Sequence, residues 1–207
     1  MLLAKICGLT ETIHIEKCIE YGASMCGFIL FYPKSHRNLS LDKAKELTSL
    51  KHSKSNVAVM VQPNKSQLES IKNLNFQYYQ IYGDQDPDEI NKIKKRYGVK
   101  IIKALTIETK ENVLKYKKYQ DISNVILFDS IGKEKSLSFD HSLLKDVSKN
   151  VIKMIAGNIQ IQDLEKISKI ADIVDVSGAV ETEKKKDLTK IKEFLLKIKE
   201  INENRTL

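Results

Sequence analysis

The chain is poor in the residues that punctuate or disorder a polypeptide, with 8 glycines and 3 prolines among 207 residues. That share leaves no Gly- or Pro-rich linker and argues against low-complexity disorder. Tryptophan is absent, and Tyr and Phe do not interleave with a basic stripe as a nucleic-acid stacking platform requires. Cysteine occurs only at positions 7, 18 and 26. The odd number, without zinc-like spacing, reads as free thiols in a reducing compartment. No apolar stretch approaches membrane-spanning length, and no basic leader or small-residue cleavage site precedes the first strand-like run. A cytoplasmic protein without membrane attachment is the expectation. The histidines at 14, 36, 52 and 141 share no metal-ligand spacing, and no Ser-His-Asp order is present.

Charge is plentiful. Lys plus Arg number 35 against 27 Asp plus Glu, a net charge of +8. Such a balance favours anionic ligands, from phosphorylated metabolites to nucleic acid. The lysines, however, spread along nearly every helical pattern and mix with Glu and Asp. They read as solvated helix faces rather than as a nucleic-acid groove.

Strand-like and helix-like segments alternate along the whole chain. Eight short apolar runs have the composition of buried parallel strands: Leu2–Cys7, Met25–Phe31, Val57–Val61, Phe76–Ile81, Lys100–Leu105, Val125–Phe128, Ile152–Ala156 and Ile173–Val176. Helical patterns lie between them. Ile15, Cys18 and Ile19 share one face, and Leu68, Ile71 and Leu74 share another. Asp86-Pro87-Asp88-Glu89 has an N-cap, a first-position proline and acids in the first turn. Leu188, Ile191, Leu195, Ile198 and Ile201 form a closing stripe. Eight βα units imply a closed barrel or an open doubly wound sheet, and the count of eight favours the barrel. The turn after the first strand, Cys7-Gly8-Leu9-Thr10, holds one glycine, which argues against a dinucleotide-binding sheet. The expected fold is α/β, with residues 1–207 forming one single-domain (βα)8 TIM barrel.

Such barrels carry their chemistry at the carboxyl ends of the strands. Cys7 ends the first run, on one face with Leu3 and Lys5 by alternation. It suits a general base or nucleophile if a cation or bound substrate assists it, or it fills space as buried cysteines commonly do. Asp129 follows four apolar residues. Desolvation there would raise its pKa toward a general acid's, though a loop-capping Asp looks the same. Arg37, in the loop after the second run, offers a fork for a carboxylate or lies at the surface. The last two runs end in Gly157-Asn158 and Ser177-Gly178-Ala179. These are small residues in the slots where barrels often bind phosphate. Cys18, on an apolar helix face, and Cys26, inside a strand, read as packing.

These segments, in order, resemble the phosphoribosylanthranilate isomerase family over essentially the whole chain. The resemblance begins with Lys5-Ile6-Cys7-Gly8-Leu9-Thr10 and continues through Phe31-Tyr32-Pro33-Lys34-Ser35 with Arg37. It runs on through Gln80-Ile81-Tyr82-Gly83-Asp84, Ile101-Ile102-Lys103-Ala104 and Leu127-Phe128-Asp129-Ser130. It ends with Val174-Asp175-Val176-Ser177, Val180-Glu181 and Lys186-Asp187. The resemblance implies an Amadori rearrangement of N-(5-phosphoribosyl)anthranilate to 1-(2-carboxyphenylamino)-1-deoxyribulose 5-phosphate in tryptophan biosynthesis. It implies no cofactor and a small phosphorylated substrate as the partner; the expectation is also no metal, no nucleic acid, and a monomer or homodimer. Carried over, Asp129 would be the general acid and Cys7 the general base. Arg37 would hold the anthranilate carboxylate, and Gly157, Asn158, Ser177, Gly178 and Ala179 would hold the phosphate. The barrel of the histidine pathway that performs a similar step is expected to carry Asp where this chain has Cys7. The chain departs from the family pattern in four places. Tyr82 replaces a usual His, and Asn158 a usual Gly. Ser177-Gly178-Ala179 replaces Ser-Ser-Gly, and the segment after the acid, Ile131 to Ser136, keeps a single glycine.

Overall fold

The computed structural model describes residues 1–130 and 139–205, so the segment from Ile131 to Ser136 lies outside the described residues. Eight parallel strands form the wall: β1 Leu3–Cys7, β2 Met25–Leu30, β3 Ser55–Val61, β4 Tyr78–Tyr82, β5 Lys100–Ile107, β6 Val125–Ser130, β7 Lys153–Ile155 and β8 Ile173–Val176. Each pairs with its sequence neighbours, and β1 pairs with both β2 and β8, which closes the sheet into a barrel. The eight apolar runs thus all become wall strands. Two small additions cap the structure. Asn38–Leu39 pairs with β2, and Glu181–Thr182 forms a hairpin with Lys185–Lys186.

The helices are α1 Thr12–Glu20, α2 Leu41–Thr48, α3 Lys65–Ile71, α4 Pro87–Tyr97, α5 Lys110–Leu114, α6 Leu164–Ile167 and α7 Leu188–Glu203. Local chemistry sets their ends. The Asp86 side chain caps α4 by accepting from the Asp88 N–H, with Pro87 in the first turn, and Gly98 ends it in the left-handed conformation. Asn64 and Gln67 form a reciprocal capping box on α3. Between β6 and β7 the described residues hold only a 3-10 turn, His141–Leu144. Among the described residues that βα unit holds no α-helix. Among the described residues no helix is long and apolar enough to cross a membrane.

The period-two alternation of the strands divides the core into two layers. The outer face, including Ile6, Phe28, Met60, Ile81, Ile126, Phe128 and Val174, is buried under the helices. Full burial of each such side chain is worth about 1.5–3 kcal/mol. The inner face carries Met25, Val57, Val59, Ile102, Ala104, Val125, Leu127, Met154 and Ile173. Into this apolar interior the sequence also sends Lys5 and Gln80, both with 0% exposure.

Candidate active site

The polar interior begins with register. Lys5 on β1 stands directly opposite Asp175 on β8, and its ammonium donates to both carboxylate oxygens at 2.9 Å. Gly27 on β2 leaves the space for it, since a methyl there would come within 3.0 Å of Lys5 Cε and Nζ. Burial works most strongly against the Lys5 charge, but Asp175 and Cys7 together outweigh it, and the pKa stays above the ordinary lysine value.

Cys7 lies two residues further on the same face. The thiol is buried, which pushes its pKa up, while Lys5 and, more weakly, Lys186 pull it down. A thiolate formed here would face the Lys5 ammonium. Cys18 and Cys26 are buried on the helix side of the wall, with thiols pushed well up by desolvation, Cys26 to about 12. They belong to the packing, as their positions suggested.

Asp129 ends the inward face of β6. Burial raises its pKa to about 6, against the opposing pull of a hydrogen bond from Tyr82. The Tyr82 hydroxyl donates to Asp129 Oδ2 at 2.8 Å and accepts from Gln80 Nε2 at 3.2 Å. Tyr82 feels the charges of both Asp129 and Cys7, so one phenol lies within electrostatic reach of both reactive groups.

Arg37 belongs to the same mouth, but its fork is already engaged. Nε and Nη2 donate to Glu181 Oε1 and Oε2 at 2.6 and 2.5 Å. Lys186 also donates to Glu181, at 2.7 Å, and to the Ser177 carbonyl at 2.9 Å. Burial would raise the Glu181 pKa, but Arg37 and Lys186 hold it down to about 2. The stem of Arg37 packs on Gly8, where any side chain would collide with its Cδ. At its left-handed φ of 75°, glycine is the residue that fits.

The two small-residue loops are neighbours because β7 and β8 pair. Gly157 and Asn158 both have positive φ, 100° and 48°, so the chain turns sharply at the end of β7. Any side chain on Gly157 would collide with Ser130 Oγ. Ser177 Oγ donates to the Cys7 carbonyl at 3.0 Å, tying this loop to β1. Both loops lead into short 3-10 turns, Ile161–Asp163 and Gly178–Val180. No long helix dipole therefore points at either, and anion binding there would rest on local N–H groups.

The barrel thus brings Cys7, Asp129, Arg37 and both loops to the carboxyl ends of its strands. Sequence reasoning had placed Lys5 and Asp175 without giving them a role, and the same holds for Glu181 and Lys186. A lysine in an apolar strand two residues before the candidate thiol was the available signal for Lys5.

The family described as N-(5'phosphoribosyl)anthranilate (PRA) isomerase matches residues 4–197. The N-(5'-phosphoribosyl)anthranilate isomerase of Thermoanaerobacter pseudethanolicus is 32% identical, over 97% of this chain and 100% of its own. The crystal structure of phosphoribosyl anthranilate isomerase from Thermotoga maritima superposes with a TM-score of 0.87 at 27% identity, covering 97% of this chain and 100% of its own. A phosphoribosyl anthranilate isomerase in complex with reduced 1-(o-carboxyphenylamino)-1-deoxyribulose 5-phosphate superposes with a TM-score of 0.84 at 26% identity and the same coverage. By sequence and by fold, the chain belongs to the N-(5'-phosphoribosyl)anthranilate isomerase family.

Proposed function

We propose that the chain isomerises N-(5-phosphoribosyl)anthranilate to 1-(2-carboxyphenylamino)-1-deoxyribulose 5-phosphate, with Asp129 as general acid and Cys7 as general base. The observation that carries the residue assignment is the opposite environment of these two groups in one mouth. Asp129 is a buried carboxyl with a pKa of about 6, and Cys7 is a thiol beside the Lys5 ammonium. A carboxyl of that pKa keeps about a tenth of its protons at pH 7, enough to serve as an acid.

The chemistry requires proton transfers and one C–O cleavage, with no redox step. Asp129 gives its proton to the ribose ring oxygen, the C1–O bond breaks, and the anilino nitrogen lone pair forms the iminium. Cys7 then removes the C2 proton. The electron pair of that C–H bond forms C1=C2 and neutralises the iminium nitrogen, giving an enolamine that tautomerises to the ketose. The C2 proton is acidic only while the iminium exists, so a weakly basic thiol suffices. Arg37 receives the anthranilate carboxylate with the edge of the guanidinium that Glu181 leaves open. The Gly157-Asn158 and Ser177-Gly178-Ala179 loops receive the phosphate through backbone N–H groups.

The test is anthranilate fluorescence with phosphoribosylanthranilate generated in situ. Decay faster than spontaneous hydrolysis, with the deoxyribulose phosphate as product, is expected. A folded protein that gives no acceleration would overturn the reading.

A further inference from the structure

Tyr82 touches the acid that the proposed function assigns, yet no step of that reaction uses it. Its side chain is held from two sides. Gln80, fully buried two residues earlier on the same face, donates its Nε2 proton to the phenol oxygen at 3.2 Å. With that lone pair engaged, the hydroxyl proton points to Asp129 Oδ2 at 2.8 Å.

The backbone of Tyr82 is held from behind the barrel wall. Lys103, on the outward face of β5, is fully buried and has no carboxylate partner among its hydrogen bonds. Its ammonium donates to the carbonyls of Ile81 at 3.3 Å and Gly83 at 2.6 Å, the two residues that bracket Tyr82. It also donates to the Ala104 carbonyl at 3.1 Å and lies 5.0 Å from the Tyr119 ring centre. A buried ammonium satisfied by carbonyls of two strands locks their relative position, because withdrawing those acceptors would strand the charge.

We propose that Tyr82, anchored by Gln80 and Lys103, is a positioning residue that occupies Oδ2 of Asp129 and leaves Oδ1 as the oxygen that carries and delivers the proton. This rests on the reading of Asp129 as the general acid. A protonated carboxyl has one donor. If Oδ2 is committed as an acceptor from the phenol, the proton resides on Oδ1. After delivery, the same phenol hydrogen bond stabilises the carboxylate left behind. The Ser130 backbone also hydrogen-bonds the carboxyl, and the side chains that set the charge on Asp129 are Tyr82 from β4, Asp175 from β8, and Lys5 from β1. Cys7, also on β1, acts on Tyr82 itself. Among these, only Tyr82 forms a side-chain hydrogen bond with the carboxyl group.

The test pairs two readouts on wild type, Tyr82→Phe and Tyr82→His. Phe keeps the ring and removes the donor, and His restores an N–H donor. The first readout is the titration of the Asp129 carboxyl carbon by 13C NMR. The second is the pH profile of kcat and KM for phosphoribosylanthranilate. In Tyr82→Phe, loss of one hydrogen bond to the charged form should raise the Asp129 midpoint by about one pH unit. The limb of the kcat profile that belongs to Asp129 should move up by the same amount, with KM changed less than about twofold. Tyr82→His should return the midpoint most of the way. A midpoint unchanged in Tyr82→Phe overturns the role of Tyr82, even with full wild-type turnover. So does a drop in kcat with the limb in place, since that is a merely structural effect. A midpoint that moves in a wild-type protein unable to isomerise the substrate overturns the functional reading instead, and the catalytic sense of the proposal with it.

Discussion

Two sides of one barrel mouth handle a carboxylate in opposite ways. On the β4–β6 side, Asp129 is buried against a phenol, and its pKa rises to about 6. On the side where the loops after β2 and β8 meet, Glu181 lies between Arg37 and Lys186, and its pKa falls to about 2. Burial pushes both upward. The partner decides the outcome: a neutral hydroxyl recovers little of the lost hydration of a carboxylate, whereas two cations recover more than all of it. The first side holds a carboxyl that titrates near neutrality, and the second holds fixed charges, as the proposed carboxylate clamp would need.

The largest break in this comparison removes the proton-transfer groups. Asp129→Asn and Cys7→Ser should each lower turnover about a thousandfold, measured by anthranilate fluorescence, while circular dichroism shows the fold retained. Wild-type-like turnover in either variant would remove that residue from its assigned role. Next comes the buried ion pair beside Cys7. Lys5→Met leaves Asp175 charged and unpaired in the interior, and should cost about 3–5 kcal/mol of stability by urea unfolding. Lys5→Met combined with Asp175→Leu should recover much of that loss, and failure to do so would mean the pair is not the source.

A smaller effect is expected on the charged side. Glu181→Gln frees the Arg37 fork to move and should raise KM about tenfold, with kcat within about twofold, if its task is to aim Arg37 at the substrate carboxylate. An equal fall in kcat would assign Glu181 to the chemistry instead. The smallest effect tests the pKa contrast directly, through stability. Asp129, raised in the folded state, favours folding below the ordinary carboxylate pKa, and that contribution is lost as pH rises through about 6. Between about pH 4 and 7, Asp129→Asn should therefore gain on wild type by on the order of 1–2 kcal/mol. Glu181 has the reverse sign. Its contribution is present above the ordinary carboxylate pKa and is lost as pH falls toward about 2, so Glu181→Gln should lose on wild type over the same rise in pH. Thermal melts at both pH values check the signs, and parallel shifts would erase the contrast.

The fold was legible because the wall strands are short, largely apolar runs spaced regularly between helical patterns, and most of their residues are buried. The errors fall where burial and pairing part company. Phe76 looks like the start of a strand because it is a β-favouring apolar residue, and its side chain is indeed buried, yet the ladder of β4 begins at Tyr78. The helix that the regular alternation implies between β6 and β7 falls partly on residues 131–138, outside the described residues; those described there form a 3-10 turn. Cys7 and Asp129 could be picked out because they end apolar runs. The residues that set their chemistry could not. Lys5 and Asp175 are 170 positions apart, and Arg37 and Glu181 are 144 apart. A charge in a sequence has no partner until closure of the barrel supplies one. Tyr82 was visible as a departure from the family pattern, but its meaning depends on a contact with Asp129, 47 positions away.

The environments of Cys7 and Asp129 also set a proton inventory. With the thiol pushed above its ordinary value and the carboxyl at about 6, the resting mouth at pH 7 holds one proton between the two groups and keeps it mainly on sulfur. The arrangement that the proposed acid and base roles require has the same proton on Asp129. The two are tautomers of equal charge, so their ratio is indifferent to the pH of the solution anywhere between the two titrations. Under the proposed roles, turnover would run through that minor tautomer, and its rate would be flat in pH between the two titrations.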